Sequence, residues 1–422
     1  MNKTIIATAL AAIIAAPAAS AAVQVYQDNT NQFTFGGQLD ARLITDQSLK
    51  HSPNMVSKGT HVSFNFAHKM SDGWTASSVF DWGFDPFGGK GFTTTPKDQL
   101  DTGDSKIKLT SRLGYVALSN DMYGTISFGK QWGVWYDVVS GTDNAVIWGG
   151  SADGAYTFSN NGATNGVGRA DRVIQYRNTI GDFSFAVQTQ LQQDSVDLTA
   201  VNMDGNFGPV APMNVTEAER KDENLLKAAK KQYDKYHLAT IEYNNTYGMS
   251  ASYTLMSDLQ VVVGGNIGKF TSTYKDSSIG KSQRTDYIYG LGINYGNLSH
   301  EGLYVAANVN KNQWHQADVN GNMLPEAVGV EFYTAYNLGN GLRPYAVFNH
   351  LQSNEDYASK AGTVVESKMQ YAAFGVAYSW DKNIFMYAEG KVDFSDYKTV
   401  KDGNVTKSEG KNGFGVGIRY KF

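Results

Sequence analysis

The feature that most constrains this chain is an alternation of apolar and polar residues, in segments of about ten residues, that recurs along most of the sequence. Successive side chains of a β-strand point to opposite faces, so the alternation predicts strands with one apolar and one polar face. The last segment shows it most clearly. Every second residue from Phe414 to Phe422 is apolar, and the residues between them are glycine or basic.

We count about sixteen such segments, joined alternately by short turns and long loops. A soluble sandwich would also alternate. However, strands that share 25 Tyr, 21 Phe and 7 Trp would leave a soluble protein with surplus apolar surface. In a membrane that surface meets lipid, and closure of the sheet satisfies the backbone polar groups. The pattern therefore predicts an all-β fold: a transmembrane antiparallel β-barrel of about sixteen strands with long extracellular loops.

The N-terminus reads as an export signal. Lys3 precedes an apolar run over 5–16, and Ala19-Ser20-Ala21 fits a small-x-small cleavage site. The alternative, an uncleaved anchor helix, is disfavoured because the run is shorter than the ~20 residues that span a bilayer. We predict a cleaved signal peptide at 1–21 and a single barrel domain at 22–422.

Between the strand-like runs TISF and RVIQYRN lie roughly forty residues without sustained alternation. A structureless stretch of that length inside a compact domain is usually functional. The sequence therefore predicts that this third long loop, at 133–169, folds inward and narrows the mouth of the barrel.

Charged side chains inside a wide aqueous barrel cost little, whereas a lipid-facing Lys or Arg costs ~2–4 kcal/mol at the bilayer midplane. Parity within the strands accordingly places Asp40, Arg42, Asp81, Arg112 and Arg419 on the inner face. The alternative is that these are solvated wall charges with no role in permeation.

Several other functions find little support in the sequence. There is no GxSxG, HExxH or P-loop motif, and the 7 His are scattered. With 0 Cys, thiolate metal sites are excluded, and we predict no metal and no cofactor. The segment 318–322 hints at a calcium loop, but its glycine comes too early, which favours an exposed turn. A net charge of −4 without a basic cluster argues against nucleic acid.

Three motifs carry a resemblance to a known family: FGKQWGVWYDVVSGTDN followed by WGG and RVIQYRN, then GLRPYAVF, and finally GIRYKF. With these motifs the chain resembles the general porins of Gram-negative bacteria over essentially its whole mature length. The resemblance implies a sixteen-stranded, homotrimeric outer-membrane barrel for passive diffusion of small hydrophilic solutes. It also implies outer-membrane lipids, lipopolysaccharide and the barrel-assembly machinery as partners, the last through the C-terminal strand that ends in Phe422.

In that family, acids on the third loop face a ladder of wall arginines and lysines. Arg112 and Arg169 match wall positions and Asp143 matches a loop acid, whereas His61, Gln38 and Ile147 replace charged residues of the family pattern. Lys130 matches an arginine that contacts a neighbouring subunit, where an Asp of the 85–104 loop could pair with it. The predicted constriction comprises Asp143, Arg112, Arg169, His61, Gln38, Asp40, Arg42 and Asp81, with Trp132, Tyr136 and Trp148 as the aromatic lining of the loop.

Two other functions stay open at this point. A substrate-selective channel could use Trp132, Trp135, Tyr136 and Trp148 as a sugar slide. A surface receptor or adhesin could use the barrel as a scaffold for the 194–236 loop, whose charged segment 216–235 reads as a short surface helix. An outer-membrane lipase is a more distant third, because it would need a Ser-His pair.

Overall fold

The computed structural model describes residues 22–47, 52–87, 109–157, 161–193, 196–197, 238–274, 277–278, 281–318, 323–359, 362–401 and 403–422. The predicted signal peptide, most of the 85–104 loop, nearly all of the 194–236 loop with its charged segment, and residues 319–322 of the turn with a calcium-loop hint lie outside these residues.

Within the described residues the chain forms 22 β-strands, numbered here in chain order, of which sixteen build the wall of a barrel. The wall strands are β2 (Asn31–Asp46), β4 (His61–Lys69), β5 (Trp74–Gly83), β6 (Thr110–Asn120), β7 (Gly124–Trp132), β8 (Arg169–Ile180), β9 (Phe183–Gln190), β11 (Leu238–Met256), β12 (Leu259–Tyr274), β13 (Lys281–Tyr295), β14 (Gly302–Gln313), β15 (Ala327–Asn337), β16 (Leu342–Ser353), β18 (Gly362–Ser379), β19 (Ile384–Asp393) and β22 (Gly413–Lys421). The shorter strands are β1 (Val23–Gln27), β3 (Asn54–Val56), β10 (Val196–Asp197), β17 (Tyr357–Ser359), β20 (Asp396–Lys401) and β21 (Asn404–Glu409).

The wall closes on itself. Each wall strand pairs antiparallel with the next one along the chain, and β22 returns to β2 in a register that sets Arg419 opposite Asp40. Closure leaves no free edge in the wall, so the backbone groups of the sheet bond to one another within the bilayer. The predicted barrel of sixteen strands is confirmed.

Apolar and polar side chains lie on opposite faces of the wall, as the alternation in the sequence predicts. On β9, Phe183 and Val187 are exposed on the outside, whereas Gln188 and Gln190 are buried inside. On β22, Phe414, Val416, Ile418 and Tyr420 are exposed outside, which leaves Arg419 and Lys421 to face inward. Apolar side chains face outward because lipid surrounds the wall there.

The two ends of the barrel differ. Connections such as 121–123, 181–182, 257–258 and 380–383 are tight turns, and they gather at one end, which we call the short-turn rim. The long connections, including the one after Trp132, leave from the other end, the long-loop rim. In bacterial outer-membrane barrels the short turns are periplasmic. In the part of the chain that is described, no helix is both long enough and apolar enough to cross a membrane.

The interior also contains an apolar cluster that the sequence analysis did not anticipate. Side chains from β14 to β19 and from the third loop pack together inside the barrel. They include Ile147, Trp148, Tyr304, Tyr333, Tyr345, Val347, Tyr371, Phe385 and Tyr387. The cluster also includes Ile44 of β2 and Val56 of β3, so it extends along the wall from β14 to β3, across the place where β22 meets β2.

Candidate functional site

The third loop leaves the wall at Trp132 and returns at Arg169. Its neck is closed by a hydrogen bond of 2.7 Å from the Gly133 N–H to the Gly168 carbonyl. The loop then forms a single helical element, α1 (Trp135–Val139), and continues across the interior. Its described side chains include Trp135 and Val139, each 0% exposed. The loop therefore lies inside the barrel, as predicted, and is packed as firmly as a core.

Two buried carboxylates of the wall bind the tip of the loop. Glu389 on β19 accepts the backbone N–H groups of Ile147 at 2.9 Å and Trp148 at 2.7 Å. Glu331 on β15 accepts the Gly150 N–H at 2.7 Å and the Thr142 hydroxyl at 2.7 Å. Hydrogen bonds to a carboxylate are roughly twice as strong as those between neutral groups, so these two acids fix the path of the loop.

Further wall groups extend this attachment along the loop. The Asn349 amide oxygen accepts the Ala152 N–H at 3.1 Å, and Arg177 binds Asp137 of α1 at 2.8 Å. His315 bridges Asp286 at 2.6 Å and the Gly154 carbonyl at 2.8 Å. These attachments come from strands between β8 and β19 and from the connection after β14. The tip is also bonded from the other direction, since the Val146 and Ile147 carbonyls accept hydrogen bonds from Arg42 and Lys58.

The opposite surface of the loop carries an aromatic and acidic group. The rings of Trp132 and Tyr136 stack with centroids 3.8 Å apart, and Arg169 lies 4.8 Å above the Trp132 ring. Asp143 accepts hydrogen bonds from the Tyr136 hydroxyl at 2.8 Å and from the Tyr156 hydroxyl. Burial raises the pKa of Tyr156 well above its ordinary value, and the Asp143 charge adds to the rise, so this phenol remains a donor.

The wall facing this group carries the predicted basic residues. Arg112 forms an ion pair with Asp81 at 3.1 Å and also interacts electrostatically with Arg169 and Tyr156. His61 lies in the same electrostatic neighbourhood, and its Nδ1 contacts the Gly59 carbonyl at 2.6 Å. We call Asp143, Arg169, Arg112 and Asp81 the constriction group. It contains two positive and two negative side chains, so its formal charges balance.

Several expected lining residues are instead buried. Asp40 and Arg42 pair at 2.7 Å and are 0% and 1% exposed, because the loop tip covers them and its Val146 carbonyl accepts a bond from Arg42. Trp148 is 1% exposed within the interior apolar cluster, because the bonds to Glu389 hold it there. The predictions that Asp40 and Arg42 line the constriction and that Trp148 lines the pore are therefore wrong for this structure. Asp81 and His61 are also buried, at 3% and 4% exposed, so in the Arg112–Asp81 pair the partly exposed member is Arg112.

Two predicted residues have local structural contacts. The Gln38 side chain donates to the Gly59 carbonyl at 2.9 Å, which places it beside His61. Lys130 forms an ion pair of 2.7 Å with Asp171 of the same chain, so its contact with a neighbouring subunit stays a prediction.

Sequence reasoning missed the groups that position the loop. Glu331 and Glu389 occupy inward positions in otherwise apolar strands, flanked by Val330 and Phe332 and by Ala388 and Gly390. An acid at an inward position is unremarkable in a water-filled barrel, so parity alone did not show that these two bind backbone. Tyr156, which completes the Asp143 site, lies in the irregular part of the loop and offered no pattern.

Comparison with known proteins agrees with this architecture. The family profile described as "Gram-negative porin" matches residues 7–422. The chain is 24% identical to outer membrane protein F of Serratia marcescens, with 100% of both chains covered. Among solved structures, it is similar to Salmonella typhi OmpF in complex with daunomycin (TM-score 0.61, 15% identity, 95% of this chain and 100% of that chain). It is also similar to the trimer form of in-vitro folded OmpT of Vibrio cholerae (TM-score 0.57, 15% identity, 93% of this chain and 100% of that chain).

Proposed function

This chain belongs to the Gram-negative porin family, and we propose that it is a general-diffusion channel of the outer membrane whose size limit is set by the third loop. Small hydrophilic solutes and ions cross it passively, down their gradients. The observation that carries this function is the placement of the loop. The buried acids Glu331 and Glu389 bind the loop. The loop residue Tyr156, which donates to Asp143, lies near Arg112 on the facing strand β6.

The constriction group orients solutes without strongly sorting them by charge. Asp81 compensates Arg112, and Asp143 lies opposite the positive charge of Arg169. Opposed charges across a narrow passage with low-dielectric walls create a transverse field that aligns dipolar solutes. Because the charges balance, we expect the constriction itself to contribute little preference for cations or anions.

Planar-bilayer recording of the refolded protein tests this function. We expect large, long-lived openings that admit potassium and chloride alike, together with passage of small uncharged sugars in liposome-swelling assays. A protein that inserts but conducts poorly, or that conducts only until one particular sugar saturates it, would contradict a general-diffusion channel. The recording also separates this function from the adhesin interpretation, which requires no conductance.

We further propose that three copies assemble through the outer face of β2 to β7. Aromatic rings concentrate there: Phe33 stacks on Phe66 at 4.6 Å, and Phe64 contacts Trp82 at 5.7 Å. A groove of about 750 Å³ on this face is lined by apolar side chains such as Phe33, Phe66 and Phe128, together with polar ones such as Asn31 and His68. The outer face of β12 to β14 is mainly aliphatic, with residues such as Val263, Leu291 and Val309, which suits lipid.

The C-terminal strand supports a proposal about assembly. The Phe422 main chain exchanges hydrogen bonds of 2.8 and 3.1 Å with Gly37, and its ring lies 5.6 Å from Phe35 on the outer face. An outward, apolar, aromatic-ended strand offers an edge that the barrel-assembly machinery can recognise before closure. Outer-membrane lipids and lipopolysaccharide are proposed to surround the remaining outer face.

The sugar-slide alternative loses two of its four rings, because Trp135 is 0% and Trp148 1% exposed. No observation favours it, and nearly all of the loop that the receptor alternative requires lies outside the described residues. The family is one of channels, and we propose no catalytic activity.

A further inference from the structure

Three basic side chains surround one aromatic ring near the short-turn rim. The guanidinium carbons of Arg343 and Arg419 lie 5.9 and 5.5 Å from the centre of the Phe385 ring, and the Lys421 ammonium lies 5.4 Å from it. We call these three cations, with Phe385, the rim cluster. Arg343 is on β16, Phe385 is on β19, and Arg419 and Lys421 are on β22. None of them belongs to the constriction group.

The rim cluster faces the channel interior. On β22, Ile418 and Tyr420 are exposed on the outer face, so the alternating Arg419 and Lys421 point inward. Phe385 on β19 pairs directly with Arg419 and is 7% exposed. On β16, the outward Pro344 leaves Arg343 on the inner side, close to the turn that precedes the strand. Solutes that pass the short-turn rim therefore meet all three cations.

The acids around the cluster do not balance it. Asp40 accepts Arg419 at 3.0 Å, but it also accepts the buried Arg42 at 2.7 Å. Asp40 is thus shared by two arginines, and the ion pairs of the described residues give Arg343 and Lys421 no carboxylate partner. Glu389, further along the same strand as Phe385, is engaged by the loop backbone. Among the described residues, no acid lies within ion-pair distance of Arg343 or Lys421, and the Arg343 Nε is buried without a hydrogen-bond partner.

A single aromatic ring does not neutralise like charges that converge on it, because cation–π attraction leaves the charge in place. Converging guanidinium and ammonium groups are instead suited to an oxyanion, which can accept several of their N–H donors at once. The charges of the constriction group balance one another. The rim cluster, in contrast, presents a net positive charge to solutes.

We propose that Arg343, Arg419 and Lys421 form a subsite for small oxyanions, of the phosphate class, at the short-turn rim of the channel. The subsite rests on the proposed function, since it acts on solutes that traverse the barrel. It concentrates phosphate-like anions on that side and gives the channel a sidedness that its balanced constriction does not supply.

Inorganic phosphate is the probe. Single channels are recorded in potassium chloride at constant ionic strength while phosphate is added to one side and then to the other. We expect phosphate to reduce the chloride current in a concentration-dependent way, and more strongly from one side. In the double variant Arg343→Gln/Lys421→Gln, the half-effect concentration should rise roughly tenfold, about threefold for each charge removed.

Lys269→Gln serves as the matched control, because Lys269 is an exposed residue on the outward face of β12. The double variant Arg343→Lys/Lys421→Arg, which keeps both charges, should retain most of the phosphate effect, and Arg343→Gln alone should show part of the loss. Heat-modifiable migration of each variant on semi-native gels, compared with the wild type, establishes that the barrel has folded. A conducting wild type that is insensitive to phosphate, or a phosphate effect that survives in the Gln double variant, would overturn the subsite. Absence of wild-type conductance would instead overturn the proposed function.

Discussion

At the scale of single residues, the acids inside the barrel differ in what they bind. Asp143 lies between two phenols on the open surface of the loop, whereas Glu389 is buried and receives backbone N–H groups. A carboxylate is thus proposed to influence permeation in one place, and in the other it holds the loop. The surroundings of each acid, rather than its residue type, decide the role.

Glu389 can be tested by truncation. Glu389→Ala leaves the Ile147 and Trp148 N–H groups without their acceptor, and each buried unpaired donor costs about 1–3 kcal/mol. We expect the loop tip to detach, which would give larger and noisier openings, while Glu389→Gln, which keeps one acceptor oxygen, should lie between. Single-channel recording measures both. Glu355→Ala is the control, since Glu355 is exposed outside the barrel interior, and equal effects at both sites would argue against the proposed role.

Asp143 and Arg169 should act in opposite directions on ion preference. One elementary charge about 6 Å from the path in water contributes about 0.7 kcal/mol, which is roughly threefold in relative permeability. Asp143→Asn is therefore expected to shift the reversal potential in a salt gradient toward anions, and Arg169→Gln toward cations. Asp121→Asn, in an exposed turn at the short-turn rim, is the control. Shifts of the same sign in both constriction variants would refute the balanced arrangement.

At the scale of elements, the fit between loop and wall depends on small residues in the wall. Gly329 on β15 and Gly292 on β13 face the loop, and a Cβ at either position would collide with a backbone oxygen of the loop, that of Ala152 or Val138. The strands thus provide both the acceptors that bind the loop and the space that lets its backbone approach. A wall with larger side chains at these positions would hold the loop further into the passage.

Gly329→Val tests this fit. Overpacking at a closely packed site typically costs 1–3 kcal/mol, so we expect about that loss of stability, together with a changed conductance step as the loop is displaced from the wall. Gly390→Val is the matched control, because a Cβ there meets only an ordinary contact with Phe414. Thermal unfolding in detergent and single-channel recording measure the two effects. A Gly329→Val channel indistinguishable from wild type would show that the loop does not rely on this contact.

At the scale of the whole molecule, aromatic side chains stack on one another on the outer face of β2 to β7, whereas the outer face of β12 to β14 is mainly aliphatic. The aromatic face on β2 to β7 is the proposed subunit interface. The last of these strands, β7, leads directly into the third loop. Assembly of three copies would therefore stabilise β6, the strand that carries Arg112, together with its neighbours. Channel geometry and assembly are linked through those strands.

The interface can be tested by shortening one ring. Phe66→Ala removes the stack on Phe33, and loss of a central interface aromatic costs about 2 kcal/mol or more per subunit. We expect the oligomer to dissociate at a lower temperature on heated, semi-native gels, with the barrel still folded. Phe374→Ala, on the outer face of β18 and 60% exposed, should leave the dissociation temperature unchanged. If both variants dissociate alike, the interface lies elsewhere.

The sequence by itself determined the number of wall strands, which side chains face inward and the existence of an inserted loop. These follow from a two-residue period and from breaks in it, which are local properties of the chain. Arg112, Asp143 and Arg169 were identified by resemblance to a family, and the structure brings them together around Tyr156. Only the tertiary structure decided the path of the loop, because that path depends on Glu331, Glu389 and Asn349, which are distant from it in sequence. It also decided that Asp40, Arg42 and Trp148 are covered and that Arg343 meets Lys421, since burial and charge balance depend on what packs against a residue and not on its position in a strand.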